Sequence, residues 1–303
     1  MAISRSQLVK ELEPGLNALF GLEYQKYENE HTEIFNQESS DRAFEEEVML
    51  TGFGNAPVKQ EGAAVTFDSA NEAYTARYSH ETVALAFSIT EEAVEDNLYD
   101  RLSARYTKAL ARSMAHTKQI KAANVLNNAF TAGASAGGDG VSLVSTAHPT
   151  VGGGNFTNRN ATDADLNETS LEQAMIDISQ FIDERGLKIA VQARKMIVPP
   201  QLMFVADRIL NSTLRTGTAD NDINALVNMS MLPDGYRVNH YLTDTDAYFI
   251  MTDAPNGFKH FVRTPLATAM EGDFDTGNVR YKARERYSFG FSDPRCVYGS
   301  QGS

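Results

Sequence analysis

The sequence predicts an α+β protein built from parts too long to be covered within one subunit. Three stretches carry that expectation. Residues 91 to 131 contain neither Gly nor Pro and set apolar side chains at every fourth position, the mark of one long amphipathic helix. The stretch "VRYKARERYSFGF" at 279–291 alternates between two unlike faces, as a strand does, and a strand over 279–292 exceeds the usual ~3–10 residues. Between about 165 and 262, helical and strand patterns alternate, which indicates a mixed α/β layer.

In chain order, residues 4–20 carry Leu8, Leu12, Leu16, Leu19 and Phe20 at helical spacing around Pro14 and Gly15, predicting one or two short helices. Residues 21–47 are polar and acidic, an arm that needs another surface to lie on. From 48 to 90 the period becomes two, with Val65 and Phe67, then Tyr74, Ala76 and Tyr78, then Val83, Leu85, Phe87 and Ile89. This predicts an extended, hairpin-like loop that projects. The helix over 91–131 has Ser88 or Thr90 as N-cap, acids in its first turn and Gly133 at its end. Its stripe runs through Val94, Leu98, Leu102, Tyr106, Leu110, Met114 and Ile120. At ~1.5 Å per residue it spans roughly 60 Å, and the lack of a sustained heptad makes it a spine across a sheet rather than a coiled coil.

Residues 132–168 are rich in Gly, Ser, Thr and Asn, including "GGG" at 152–154, and predict a mobile loop. "SLEQAMIDISQFIDERG" follows as a helix with a Ser170 and Gln173 capping box, Leu171, Met175, Ile178 and Ile182 inward and Gly186 at its end. "KMIV" reads as a strand, "PPQLMFVADRILNS" as a helix begun by proline, and "NDINALVNM" as a short helical piece. "YRVNHYL", "AYFIMT" and "FKHFVR" are strands, the last entered through the turn "DAPNG".

At 303 residues, 42% hydrophobic and 22% charged, the composition is that of a globular protein large enough for one elaborate core or two smaller ones. No run of 18 apolar residues occurs, so no membrane partner is expected. The amphipathic start is unlike a signal region, which predicts a protein made in the cytosol. The single cysteine, Cys296, excludes an intrachain disulfide framework and a multi-cysteine metal site, and is expected to be a small buried hydrophobe.

The net charge of −13 argues against free nucleic acid as a general partner. Residues 1–100 hold 6 Lys and Arg against 20 Asp and Glu, which leaves 21 against 20 of the chain's totals of 27 and 40. An acidic third is therefore joined to a nearly neutral body that carries a cationic strand.

Motifs for chemistry are nearly absent. "FDTGN" matches the core of the aspartic protease signature, but one copy of Asp275 lacks the second carboxylate that chemistry needs, so a turn is expected there. The histidines His31, His80, His116, His148, His240 and His260 have no close metal-ligand spacing and read as surface or hydrogen-bonded side chains. No G-x-S-x-G elbow frames a serine, and "GGG" lacks the context of a phosphate loop. The reading is of no enzyme, no cofactor and no metal.

The closing strand sets Val279, Tyr281, Ala283, Tyr287, Phe289 and Phe291 on one face and Arg280, Lys282, Arg284 and Arg286 on the other. Cations about 7 Å apart along one face repel each other unless something negative covers them. Aromatic rings on the opposite face weigh against a single-strand nucleic-acid groove. Acidic segments such as "FEEEV", with Glu45, Glu46 and Glu47, are the candidate cover, contributed at least partly by neighbouring copies.

The order of these parts resembles the major capsid proteins of tailed double-stranded DNA bacteriophages, the Hong Kong 97-type fold, and within it the branch of Mu-like head subunits. The likeness is carried by "PGLNALFG" at 14–21, "FSITEEAVEDNLYD" at 87–100, "STAHPTVGGGNFTN" at 145–158 and "ARKMIVPPQLMFVADRIL" at 193–210. "RTGTADNDINAL" at 215–226, "GFKHFVR" at 257–263 and "YKARERYSFGFSDPR" at 281–295 complete it.

The resemblance implies an N-terminal arm (1–47), an extended loop (48–90) and a peripheral domain (91–164 and 263–303). The peripheral domain would hold a spine helix over 91–131 and a closing strand over 279–292, and an axial domain would occupy 165–262. It implies hexamers and pentamers of this chain tiling an icosahedral shell around double-stranded DNA, without sequence-specific binding. It further implies a portal, a possible decoration protein and a separate scaffolding protein. Some relatives cross-link a loop lysine to an asparagine; Lys59 is the one lysine of 48–90, and nothing local marks its partner. An encapsulin-like nanocompartment shell has the same fold and is the alternative; a hydrolase using Asp275 is the remote one.

Overall fold

A computed structural model describes residues 5–90, 92–93, 99–131, 133, 137–214, 222–273 and 277–303. The chain runs through helix α1 (Arg5–Tyr24), a 3-10 turn (Glu30–Glu33), strands β1 (Asn36–Ser39), β2 (Phe44–Leu50), β3 (Glu72–Ser79) and β4 (Glu81–Ile89), and the spine helix α2 (Tyr99–Asn127). Short strands β5 (His148–Pro149) and β6 (Asn155–Phe156) precede α3 (Glu168–Ser179), β7 (Ala193–Val198), α4 (Met203–Asn211), α5 (Ala225–Asn228), β8 (Tyr236–Val238) and β9 (Tyr248–Thr252). The chain closes with β10 (Phe258–Gly272), β11 (Val279–Phe291) and β12 (Val297–Ser300).

Two four-stranded sheets organise these elements, a long one in the order β1-β10-β11-β4 and a short one in the order β12-β9-β7-β8. In the long sheet β10 and β11 pair antiparallel from Phe258↔Phe291 to Gly272↔Val279. β1 joins the free edge of β10 in parallel, and β4 joins β11 antiparallel.

The alternation of β11 explains where this sheet packs. Tyr281 and Ala283 face Leu16 and Phe20 of α1 and Leu110, Ala111 and Met114 of α2. Around the short sheet, Leu171, Ala174, Met175 and Ile178 of α3 close on Met196, Val198, Ile209, Tyr248, Ile250 and Tyr298. Fully burying each large apolar side chain contributes about 1.5–3 kcal/mol, so both cores are substantial within one chain.

Several sequence expectations need correction. Residues 81–89 do not extend the projecting loop: β4 pairs with β11, because Val83 and Phe87 pack with Tyr281 beneath the helices. The hairpin is β2 and β3, joined by 51–71. "FKHFVR" is only the first part of β10, which continues to Gly272 past Pro265. The register shifts between Thr264 and Ala267, which accommodates a proline that cannot donate to the ladder. α1 is a single helix with Pro14 inside it.

The spine stripe also drifts. A strict i+4 pattern advances about 40° per step around a helix of ~3.6 residues per turn. Leu110 and Met114 are accordingly buried while Tyr106 is exposed, and Ala111, Ala115, Ala122 and Ala123 complete the inner face. At the start of the spine the Ala93 amide donates to Thr90 Oγ1 at 3.4 Å; Val94 and Leu98 lie outside the described residues.

For α3 the N-cap is Asn167, whose side chain exchanges hydrogen bonds with Ser170 at N3. An asparagine caps as well as a serine, so the helix begins earlier than a Ser170 cap predicts. It ends at Ser179, and Gly186 (φ +82°) serves the following turn instead.

Candidate assembly surface

The spine-facing and outward-facing sides of β11 are opposite in kind. Inward, Glu285 is the one carboxylate on the aromatic face: Lys118 Nζ donates to its Oε2 at 3.0 Å and Tyr24 Oη to its Oε1 at 2.9 Å. Burial first, then the charge of Glu285, pushes the Tyr24 phenol well above its ordinary range. One buried carboxylate thus joins α1, the spine and the sheet. The alternation of 279–291 puts Glu285 on this face, but the sequence reading named only the apolar residues there and passed over it.

Outward, Arg280, Lys282 and Arg284 are exposed and Arg286 is half-buried. Their cross-strand neighbours are small: Ser88, Ala86, Ala84 and Thr82 on β4, and Ala269, Ala267 and Thr264 opposite Lys282, Arg284 and Arg286 on β10. Glu271 stands opposite Arg280, which pairs with Asp273 of its own hairpin. Among the described residues Lys282 and Arg284 have no ion pair. The Nε atoms of Arg286 and Arg263 are buried without a hydrogen-bond partner. Nearby, His80 bridges Ser288 Oγ (3.0 Å) and Ser40 Oγ (2.9 Å), and burial followed by the charge of Arg286 holds its pKa below the ordinary value.

The three expected acids do not act as a block, because β2 alternates. Glu47 turns in and pairs with Lys259, which also reaches Glu38 at 3.1 Å. Burial alone would pull the Lys259 ammonium down, but the hydrogen bonds it donates to Glu47 and Glu38 outweigh it and raise its pKa. Glu45 accepts from Ser40 Oγ at 2.6 Å. Glu46 is the outward carboxylate of the three, 3.8 Å from Arg77. Within the chain none of them covers the cations of β11.

Lys59 is exposed in the connection 51–71. That connection also presents Phe53, Val58, Val65 and Phe67 to solvent, with Val58 and Phe67 each 95% exposed. Its neck is fixed to the body, since Asp68 accepts from the amides of Gly54 and Ser69 and from Arg185 Nη2 at 3.1 Å. Those amide bonds, with Arg185, hold the Asp68 carboxyl below its usual range.

At the hairpin root a buried polar hub collects chain segments that the sequence keeps far apart. Arg295 donates to Glu184 Oε1 at 2.8 Å and to the Ile182 carbonyl at 2.6 Å, and His148 Nδ1 meets Asp139 Oδ2 at 2.6 Å. His31, His80, His148 and His260 are buried, and the rings of His80 and His148 are hydrogen-bonded, one of the two roles expected of the histidines. Cys296 is buried as expected, with its thiol pushed up by burial. Asp275 lies outside the described residues, and no group of three metal-ligating side chains occurs among the described residues.

A spine helix crossing a long, mostly antiparallel sheet, a projecting hairpin and a second compact α/β layer define the Hong Kong 97-type capsid fold. Solved structures share it: the capsid of an empty GTA particle (TM-score 0.55, 12% identity, 88% of this chain and 87% of that one) and that of Myoviridae phage XM1 (0.54, 12%, 89% of each). The SrpI encapsulin of Synechococcus elongatus PCC 7942 is similar too, at a TM-score of 0.52 and 8% identity over 90% of this chain and 86% of that one. These likenesses concern the fold. No curated protein matches the chain in sequence. Residues 73–300 match the phage capsid protein family, to which the chain belongs. It is a major capsid protein, a structural component of the icosahedral virion shell rather than an enzyme.

Proposed function

We propose that this subunit assembles as hexamers and pentamers through the two surfaces its own chain leaves bare, the cationic face of β11 and the hairpin with its 51–71 connection. The observation that carries this reading is the pair Lys282 and Arg284, exposed on a sheet face and without an ion pair among the described residues. An acidic neighbour would relieve their repulsion, and such pairs fix register and partner choice more than they add stability. The alternation of β2 makes Glu46 the carboxylate of "FEEEV" available to a second copy, while Glu45 and Glu47 support the hairpin from within. Lys59 and the exposed apolar side chains of 51–71 would lie on the same neighbour.

In this arrangement 1–47 is the arm, 48–90 the extended-loop segment, of which the part before β4 projects while β4 returns to the long sheet, 91–164 with 263–303 the peripheral domain, and 165–262 the axial domain. The segments quoted for the resemblance favour the Mu-like branch. A separate scaffolding protein, a portal and a decoration protein are the expected further partners, with double-stranded DNA enclosed without sequence reading. Charge reversal at Arg284 (R284E) tests the interface. Shell yield, followed by light scattering and negative-stain microscopy, should collapse while the circular dichroism of the free subunit stays that of the parent. Shells at parental yield would overturn the reading.

A further inference from the structure

The segment after α1 is held down by a contact that water does not reach. The His31 backbone N–H donates to Gln119 Oε1 of the spine at 3.1 Å, and Gln119 Nε2 returns to the Glu28 carbonyl at 3.3 Å. The His31 ring stands edge-on to His260 of β10 (centroids 5.4 Å) and to Phe289 of β11 (5.7 Å). His260 lies flat on Phe289 at 4.2 Å. Both histidines are at most 4% exposed, and each keeps one ring nitrogen, Nδ1 of His31 and Nε2 of His260, buried without a partner. Three and four residues on from His31, Ile34 and Phe35 enter the core beside Val125, Leu126 and Phe258.

We propose that His31 and His260 form an acid-released lock that holds the 28–35 segment of the arm against the spine helix and the long sheet.

Among the described residues no counter-charge rescues a proton taken up in place. The spine offers Lys118, a cation, whose charge is matched by Glu285 of β11. β11 otherwise presents Tyr287 and Phe289, and α1 presents Tyr24, which is bonded to Glu285. On the segment itself Glu30 pairs with His240 and Glu33 with Lys195 and Arg237 of the short sheet. On β10, Lys259 pairs with Glu38 and Glu47. Burial, and then the charge of Lys118, lower His31 to about 4 and His260 to about 3.

The docked state therefore binds these protons only far below the ordinary histidine value of about 6.5, whereas an opened arm binds them near it. Docking is at full strength above about pH 6.5 and is lost progressively as pH falls from there towards the docked values.

Hydrogen exchange on the full unassembled chain tests the lock. The Phe35 amide donates to the His31 carbonyl at 2.9 Å and reports opening; the Ile250 amide of β9 is the reference. Relative to about pH 7.5, at about pH 5 each histidine should multiply the opening constant of Phe35 about thirtyfold, and the pair about a thousandfold. Ile250 should keep its protection.

The double variant H31F/H260F keeps the ring packing without the proton sites and should flatten the response. Each single variant should leave about one thirtyfold factor, and decides the matter alone if the double variant does not fold. A pH-independent Phe35 in the parent, a response unchanged in the variants, or loss of protection at Ile250 in step with Phe35 would each overturn the proposal.

Discussion

In the short sheet the strands are three to six residues long and β7, β9 and β12 are largely buried, roofed by α3 and α4. In the long sheet the 15-residue β10 and 13-residue β11 carry helices on one face and bare cations flanked by alanines on the other. One layer is completed by its own chain and the other is completed on one side only. A capsid subunit needs both kinds: a part that folds alone and a surface that stays unsatisfied until copies meet.

Substitutions can break that contrast. The largest expected effect is at the covered face of the long sheet. E285A would leave the part-buried Lys118 without its partner and should cost about 3 kcal/mol, read as a lower denaturant midpoint of the free subunit; a cost under about 1 kcal/mol would mean that this face too is incomplete in one chain. In the short sheet, I250V removes one buried methylene and should cost about 0.5–1.5 kcal/mol, the same in subunit and shell. Smallest is K282A on the bare face, within about 0.5 kcal/mol for the free subunit, with its effect confined to the salt dependence of assembly. A clear stabilisation of the subunit by K282A would show that the four cations strain the fold itself.

The faces of β11 were legible because a period of two needs no partner to be seen. The same arithmetic failed for the spine, where repetition every fourth residue looked like a stripe although the helix turns faster than that, carrying Tyr106 out to solvent. β10 was cut short because Pro265 and the register shift beside it interrupt the alternation. The candidate site was legible as a set of charges but not as pairs. Sequence shows that Glu45, Glu46 and Glu47 are acidic; only the pleat of β2 shows that two of them turn inward to Ser40 and Lys259. Glu285 was hidden for the converse reason, a carboxylate among cations whose partners, Lys118 and Tyr24, lie 167 and 261 positions away.

The 3-10 turn at Glu30–Glu33 has a mechanical consequence. Its His31 is wedged against the long sheet while Glu33 grips Lys195 and Arg237 of the short one and Glu30 grips His240 in the turn after β8. Lys195 is 162 positions from Glu33 along the chain, yet a tug on α1 reaches the short sheet through one helical turn. The turn is thus a tie rod between the two layers. Any neighbour that pulls on it in the shell loads both layers together, so a subunit can tilt as one piece.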